Sequence, residues 1–125
     1  MNAKQTYGPY SPCQFANGFV YTSGQIGAVS GKASKNIKEQ VTQALENLRN
    51  VLESAGTDMS HVVKTTVFLT NMSHYAAMNE VYAEVFMKAG ASPARTTVAV
   101  AELPRVADTA LLVEIEAVAT LPNVL

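Results

Sequence analysis

An arginine and two glutamates, placed in two β-type segments, are the residues of this chain best suited to bind and transform a small molecule. Arg95 follows Pro93 and Ala94 and opens an uncharged run over residues 96–101. Its planar guanidinium matches a carboxylate through two parallel hydrogen bonds, so this position predicts a site for a small organic acid. Glu114 and Glu116 interrupt an otherwise apolar strand pattern. We therefore expect the functional site between these two segments.

The composition limits the classes of partner. The 125 residues, 48% of them hydrophobic, fit one globular domain over residues 1–125 with a sizeable core. The net charge of -1 provides no general attraction for nucleic acid or for an anionic membrane. We expect a small molecule and further copies of the same chain as partners.

Cysteine and histidine usage bears on compartment and metal binding. Cys13 is the only cysteine, so no disulfide can form within the chain, and no secretory signal pattern is present. No apolar stretch approaches the roughly 20 residues that span a bilayer. These features predict a cytoplasmic protein. His61 and His74 lack neighbours at a ligand spacing, so we expect no metal site.

The apolar spacing predicts a strand followed by an amphipathic helix. Residues 19–26 are rich in β-branched and aromatic residues and lie between two glycines, which favours a strand. Apolar residues then recur at steps of three and four from position 37 to position 55. Asn36, with Glu39 three residues later, resembles a capping box, and Gly56 suits the helix end.

The rest of the chain predicts a second helix and three more strands. Residues 63–70 are typical of a strand that the first helix joins to strand 19–26 by a right-handed parallel crossover. Ser73 is expected to cap the second helix, and Gly90 to end it. The last two strands cover residues 95–103 and 111–119, on either side of a loop over 104–110. The order β-α-β-α-β-β predicts an α+β fold, with two helices packed on one face of a mixed sheet.

The other face of that sheet is left without helices and needs a partner. Glu114 and Glu116, two residues apart, point to one side of their strand, while Val113 and Ile115 point to the other. If the apolar side chains meet the helices, the carboxylates face the open side, where an oligomer interface would desolvate them. Arg95 is the candidate cation for offsetting that cost.

Seven segments, spread in order over nearly the whole chain, carry a family resemblance. They are Gly8-Pro9-Tyr10-Ser11, Thr22-Ser23-Gly24-Gln25-Ile26, Gln43-Ala44-Leu45-Glu46-Asn47-Leu48, Val63-Lys64-Thr65-Thr66-Val67-Phe68-Leu69, Met78-Asn79-Glu80-Val81-Tyr82, Pro93-Ala94-Arg95 and Val113-Glu114-Ile115-Glu116-Ala117. Together they resemble the RidA/YjgF family. Each segment alone is weakly specific, but their number and order indicate membership.

The resemblance implies a fold, an assembly and a reaction. The expected fold is chorismate-mutase-like, and the expected assembly is a homotrimer with clefts between subunits. The expected reaction is the hydrolysis of reactive 2-imino or enamine acids, such as 2-aminoacrylate or 2-iminobutyrate, to 2-keto acids and ammonia. This chemistry requires no cofactor.

The matching motifs also imply roles for particular residues. Arg95 would bind the substrate carboxylate, and Glu114 would position or activate the attacking water. Tyr10 would line the cleft, and Gly24 and Asn79 would contribute to its wall or to polar contacts.

Two features depart from the family pattern. Many deaminating members carry a cysteine two residues beyond the strand arginine, whereas this chain has Thr97, whose hydroxyl could still offer a contact to the ligand. The connection over residues 105–110 is also longer than the usual tight hairpin, so it could alter the mouth of the cleft.

Other interpretations of these residues stay open at the level of sequence. The guanidinium could pair with a carboxylate at a subunit boundary, and Glu116 could be the functional glutamate instead of Glu114. Tyr10 could cover the edge of the core, Gly24 could serve the backbone, and Asn79 could lie on the surface. The whole protein could be a non-catalytic metabolite-binding or chaperone-like member of the family.

Overall fold

The computed structural model describes residues 6–122. In chain order the elements are β1 (Cys13–Ala16), β2 (Phe19–Thr22), β3 (Gln25–Ile26), β4 (Ala28–Val29), β5 (Lys32–Ala33), α1 (Ile37–Ser54), β6 (Val62–Leu69), α2 (Tyr75–Ala89), β7 (Ala94–Ala99), β8 (Arg105–Val106), β9 (Thr109–Ala110) and β10 (Val113–Thr120). Short 3₁₀ turns over Met59–His61 and Met72–His74 precede β6 and α2. Neither α1 nor α2 combines the length and the hydrophobicity that a bilayer crossing requires.

The main sheet is mixed, and both helices pack on one of its faces, as the sequence predicts. Its strand order is β1-β2-β10-β6-β7, with β3 beside β10. β10 runs antiparallel to β2, β3 and β6, whereas β6 and β7 are parallel. Side chains from α1, α2, β6 and β10 share one core, which includes Leu48, Phe86, Val67 and Ile115. The expected α+β fold class is confirmed.

The last strand takes a position that the element order did not reveal. β10 lies between β2 and β6, so β2 and β6 are parallel to each other without being neighbours. The helix α1 therefore connects two strands that are separated by a third. The predicted pair of final strands, 95–103 and 111–119, does not pair directly, because β7 lies at the sheet edge beyond β6.

Helix α1 begins and ends where its sequence indicates. The Asn36 side chain accepts a hydrogen bond from the backbone N–H of Glu39 at 3.0 Å, which is one half of the expected capping box. The carboxylate of Glu39 instead accepts from the hydroxyl of Ser34, and that hydroxyl accepts from the Asn36 N–H. Gly56, with φ of +94°, follows the last turn.

The start of α2 differs from the prediction. Ser73 is not the helix cap, because it lies within the 3₁₀ turn that precedes the helix. Asn71 caps that turn by accepting from the Ser73 N–H at 2.8 Å, whereas His74, the residue before α2, makes no side-chain capping hydrogen bond. The C-terminal prediction is confirmed, since Gly90 adopts φ of +77° directly after the helix.

The strand boundaries also differ in places. The predicted strand 19–26 is interrupted at Ser23 and Gly24, and the predicted strand 95–103 ends at Ala99, where its pairing with β6 ends at Leu69. The expected loop 104–110 contains the small hairpin β8–β9. Val106 of this hairpin packs with Ala28 and Leu111 in a second, smaller core.

One buried glutamine fixes the approach to β10. Gln40 on α1 is fully buried, and its side-chain N–H groups donate to the carbonyls of Ser34 and Ala110 at 2.8 and 3.3 Å. Its Oε1 accepts from the Leu112 N–H at 2.8 Å. The chain entering β10 is therefore tied to α1 just before Val113 and Glu114.

We expect Gln40→Leu to lower the free energy of unfolding by about 2 kcal/mol or more, because the backbone groups of Ala110 and Leu112 lose buried partners. Chemical denaturation measures the change. Thr42→Leu, on the exposed side of the same helix, is the control and is expected to stay within about 0.5 kcal/mol of the wild type. Equal stabilities for the two variants would contradict this role of Gln40.

Candidate functional site

The two faces of β10 separate core residues from carboxylates. Val113, Ile115 and Ala117 are buried against the helices, whereas Glu114 and Glu116 are half-buried on the opposite face. The strand alternation predicted from the sequence is confirmed. Since the helices cover only the first face, both carboxylates lie on the open side of the sheet.

Glu114 opens onto a cleft of about 830 Å³, which we call the Glu114 cleft. It is lined by Thr6, Tyr7, Tyr10, Pro12, Ser23, Gly24, Gln25, Ile26, Ala28, Val29, Ser30, Asn47, Asn50, Pro104, Arg105, Val106 and Glu114. Three of the residues singled out from the sequence, Tyr10, Gly24 and Glu114, are thus brought together. Glu114 and Arg105 are the charged residues in this lining.

Gly24 lies against the carboxylate of Glu114. A Cβ atom at this position would overlap the Glu114 side chain, approaching its Cδ within 2.7 Å and its Cγ within 2.8 Å. Only a glycine at position 24 is therefore compatible with this rotamer of the Glu114 side chain. This contact is the physical reason for a glycine between β2 and β3.

The Glu114 carboxylate lacks a hydrogen-bond donor and a cation among residues 6–122. Burial raises the pKa of this carboxyl above the ordinary glutamate value, and the nearby charge of Glu116 raises the pKa further. A carboxyl group with a raised pKa is better suited than an ordinary glutamate to accept and return a proton.

Tyr10 stands at the rim of the cleft. Its ring is 49% exposed, and its hydroxyl accepts a hydrogen bond from the Tyr7 N–H at 3.3 Å. A ring this exposed is not covering the edge of the core, so the cleft-lining position expected from the motif is the one observed. The residue can contact a ligand with both its ring and its hydroxyl.

Arg95 lies elsewhere, on the helix-facing side of the edge strand β7. Its Nη2 donates to the hydroxyl of Tyr75 at 3.0 Å, and its Nη1 contacts Sδ of Met78 at 3.8 Å. Its Cζ is 4.8 Å from the ring centroid of Tyr82 and 5.5 Å from that of Tyr75. No carboxylate pairs with this guanidinium within residues 6–122. These contacts hold the guanidinium in place but supply no negative charge. The side chain can therefore still bind an anion.

Thr97 and Asn79 belong to the same neighbourhood as Arg95. Thr97 follows Arg95 by two residues on β7 and shares its face, and its buried Oγ1 has no hydrogen-bond partner among the described residues. Asn79 is half-buried on α2, four residues after Tyr75 and three before Tyr82. We call Arg95, Thr97, Asn79, Tyr75 and Tyr82 the edge cluster.

The side chains of Glu114 and Arg95 point to opposite faces of the sheet. In the strand register Glu114 is opposite Phe68, whereas Arg95 is opposite Thr65, whose side chain points to the helices and bonds the Tyr82 hydroxyl. Within one chain Arg95 therefore does not offset the desolvation of Glu114, and its expected role at an oligomer interface stays a prediction. Strands β6 and β7 are parallel, and the register between them determines the face of the sheet to which the Arg95 side chain points.

Sequence reasoning missed several residues of the cleft. Asn47 donates to the carbonyls of Ile26 and Ala28 at 2.8 and 2.9 Å, which fixes the cleft wall on α1. Its position beside the apolar stripe of the helix was the available signal for a buried hydrogen-bonding role. Arg105 had no such signal, because its orientation depends on the β8–β9 hairpin. Within residues 6–122, no group of three His, Cys, Asp or Glu side chains is placed to hold a metal.

We expect the raised pKa of Glu114 to make folding less favourable as pH increases. The folded carboxyl holds its proton more tightly than the unfolded one, so its contribution to stability falls as pH rises from the ordinary glutamate pKa through the raised value. Glu114→Gln removes this titration. Its unfolding free energy should therefore gain on that of the wild type as the pH rises above the ordinary glutamate pKa of about 4 and through the raised value. The assignment is refuted if the unfolding free energies of the wild type and of Glu114→Gln change by the same amount with pH.

Comparison with known proteins agrees with the fold and the motifs. A family model described as Endoribonuclease L-PSP matches residues 1–121. The chain is 42% identical over 114 residues to a RutC family protein of Aquifex aeolicus, covering 90% of this chain and 88% of that protein. It is 41% identical over 120 residues to the 2-iminobutanoate/2-iminopropanoate deaminase of Mus musculus, covering 94% and 84%.

Among solved structures, the crystal structure of E. coli TdcF with bound serine superposes with a TM-score of 0.87 at 34% identity, covering 95% of this chain and 93% of that one. The family match over nearly the whole sequence, the relatives above 40% identity and the shared fold lead to one conclusion. The chain belongs to the Endoribonuclease L-PSP family, also known as the YjgF/RidA family.

Proposed function

We propose that this protein hydrolyses reactive 2-imino acids, and the enamines from which they form, to 2-keto acids and ammonia. One observation carries the proposal: Glu114, half-buried and without a cation or donor among residues 6–122, opens onto a cleft. Its carboxylate lies so close to Gly24 that position 24 has no room for a side chain. Relatives named 2-iminobutanoate/2-iminopropanoate deaminase support the reaction class. The serine bound to E. coli TdcF supports a ligand of amino-acid size.

The reaction needs a carboxylate clamp and a group that handles protons. Arg95 binds the substrate carboxylate through its guanidinium fork and so fixes the electrophilic C=N carbon. Glu114 accepts a proton from water as the water oxygen attacks that carbon. The same carboxyl returns the proton to the nitrogen, which gives the carbinolamine. It then transfers the hydroxyl proton to the amine, which leaves as ammonia as the carbonyl forms. A raised pKa suits both steps, because neither the proton gain nor the proton loss is then steeply uphill.

We further propose that the two halves of the site come from different copies of the chain, as in a homotrimer with clefts between subunits. Arg95 with Thr97 and Asn79 would face Tyr10, Gly24 and Glu114 of a neighbour. Three features support this: Glu114 and Arg95 point to opposite faces of the sheet, Arg95 has no anionic partner in the described part of the chain, and β7 is an edge strand with Val98 39% exposed.

The name of the family refers to an endoribonuclease, but the charges of this chain favour a small anion as the ligand. The net charge is -1, and the Glu114 cleft contains a single cation among its lining residues. A nuclease that follows a phosphate backbone requires a basic patch or stripe. The cytoplasmic location inferred from the cysteine content stays a prediction.

We expect Arg95→Ala to reduce the hydrolysis of 2-iminobutyrate by at least about 100-fold in kcat/KM, because the reacting carbon is no longer positioned. The imine is generated in the assay by a threonine dehydratase, and keto-acid release is followed with and without the protein. Arg95→Lys should recover only part of the rate, since an ammonium has the charge without the fork.

The matched control is Arg49→Ala, which removes an exposed arginine that pairs with Glu46 on α1. This variant should keep the wild-type rate. Sedimentation should give the same mass for the wild type and both Arg95 variants. An unchanged rate in Arg95→Ala would remove the assigned role, whatever its assembly state.

A further inference from the structure

Arg105 supplies the Glu114 cleft with a cation that the proposed reaction does not use. It lies on β8 and lines the cleft together with Glu114, and its neighbour Val106, which also contributes to the cleft wall, packs in the small core with Ala28 and Leu111. The hairpin is thereby anchored to the body of the protein. The position of the Arg105 side chain at the cleft is consequently a property of the fold and not of a free loop.

The guanidinium of Arg105 is oriented and still available. Its Nη2 donates to the backbone carbonyl of Asp108 across the turn of the hairpin at 2.6 Å. Within residues 6–122 it forms no ion pair, although Glu102 lines a second, smaller hollow on the other side of the same arginine. A guanidinium has five N–H donors, so most of them stay free for a ligand.

The size of the cleft leaves room for more than the smallest imino acids. Its volume of about 830 Å³ lies near the upper end of the range for ligand sites. Polar side chains, Ser30 and Asn50, line the wall along with Arg105. A substrate that reacts beside Glu114 can therefore extend a side chain toward a polar, positively charged region.

We propose that Arg105 binds a second, distal carboxylate, so that the cleft favours dicarboxylic 2-imino acids over neutral ones of similar length. This inference rests on the proposed function, in which Arg95 of a neighbouring copy binds the carboxylate next to the reacting carbon. Arg105 acts away from the reacting atoms. It therefore contributes binding energy that is the same in the ground state and in the transition state.

The test measures binding of two stable keto acids, 2-oxoglutarate and 4-methyl-2-oxopentanoate, by titration calorimetry. They resemble each other in length and differ in the charge of the distal group. The wild type should bind 2-oxoglutarate about tenfold more tightly, as expected for one charge-assisted pair near the cleft mouth. Arg105→Gln should abolish this preference and leave the affinity for 4-methyl-2-oxopentanoate unchanged. Arg49→Gln, which changes the net charge equally at a site outside the cleft, should keep the preference.

The turnover of the corresponding imines gives a second readout. They are generated by amino-acid oxidases acting on glutamate and on leucine. Arg105→Gln should lower kcat/KM about tenfold for the dicarboxylic imine alone.

Lack of preference in the wild type, a preference that survives Arg105→Gln, or failure of both keto acids to bind would each overturn the inference. Equal weakening of both ligands by Arg105→Gln would also overturn it, because Arg105 would then bind the carboxylate that both share. Failure of the proposed function has a different signature, since Arg95→Ala would then leave binding and turnover of both ligands unaffected.

Discussion

The arrangement of this protein depends on a carboxylate that lies on the central strand of the sheet and has no cationic partner within residues 6–122. Strand β10 presents its apolar residues to the helices and Glu114 to the open face. Gly24 is required beside that side chain, and Gln40 and Asn47 secure the two segments that bring Glu114 and Gly24 together. Burial of this carboxyl raises its pKa. The same burial therefore lowers the stability of the fold and makes the group better suited to exchange protons.

A second constraint is the separation of charges. Arg95 is held by tyrosine rings and a methionine sulfur on one face of the sheet, while Glu114 is on the other. Each group alone is unfavourable for the stability of a single chain. A cation without an anion and a desolvated carboxylate both favour the binding of a ligand or of a partner chain. The proposed assembly meets both needs at once, since it brings a cation, an anion and an organic acid to one place.

The sequence predicted those parts of the fold that depend on local signals. Local sequence patterns are sufficient to predict three features. These are the apolar stripe of α1 with Asn36 at its start, the αL conformation of Gly90, and the alternation of buried and open side chains around Glu114. The hairpin β1–β2 was also detectable, because Asn17 and Gly18 form the tight turn with positive φ at both residues, a standard hairpin signal. Its omission was an error of interpretation.

Other features depend on contacts between distant segments and could not be predicted in this way. The insertion of β10 between β2 and β6 requires knowledge of strand order, and the face of Arg95 requires the register of β7 against β6. The β8–β9 hairpin turns at Ala107, with φ of +54°, where a glycine or asparagine would have given the signal. For that reason Arg105 was not recognised as part of the cleft.

The central claim is that a catalytic site is completed by two chains, and subunit mixing tests it most directly. Arg95→Ala and Glu114→Gln are purified separately, unfolded and refolded together in equal amounts, and assayed for imine hydrolysis. If Arg95 and Glu114 act from different chains, each variant alone is inactive and the mixture recovers about one quarter of the wild-type turnover, because half of each contributing position is intact. A mixture as inactive as its components would contradict the account.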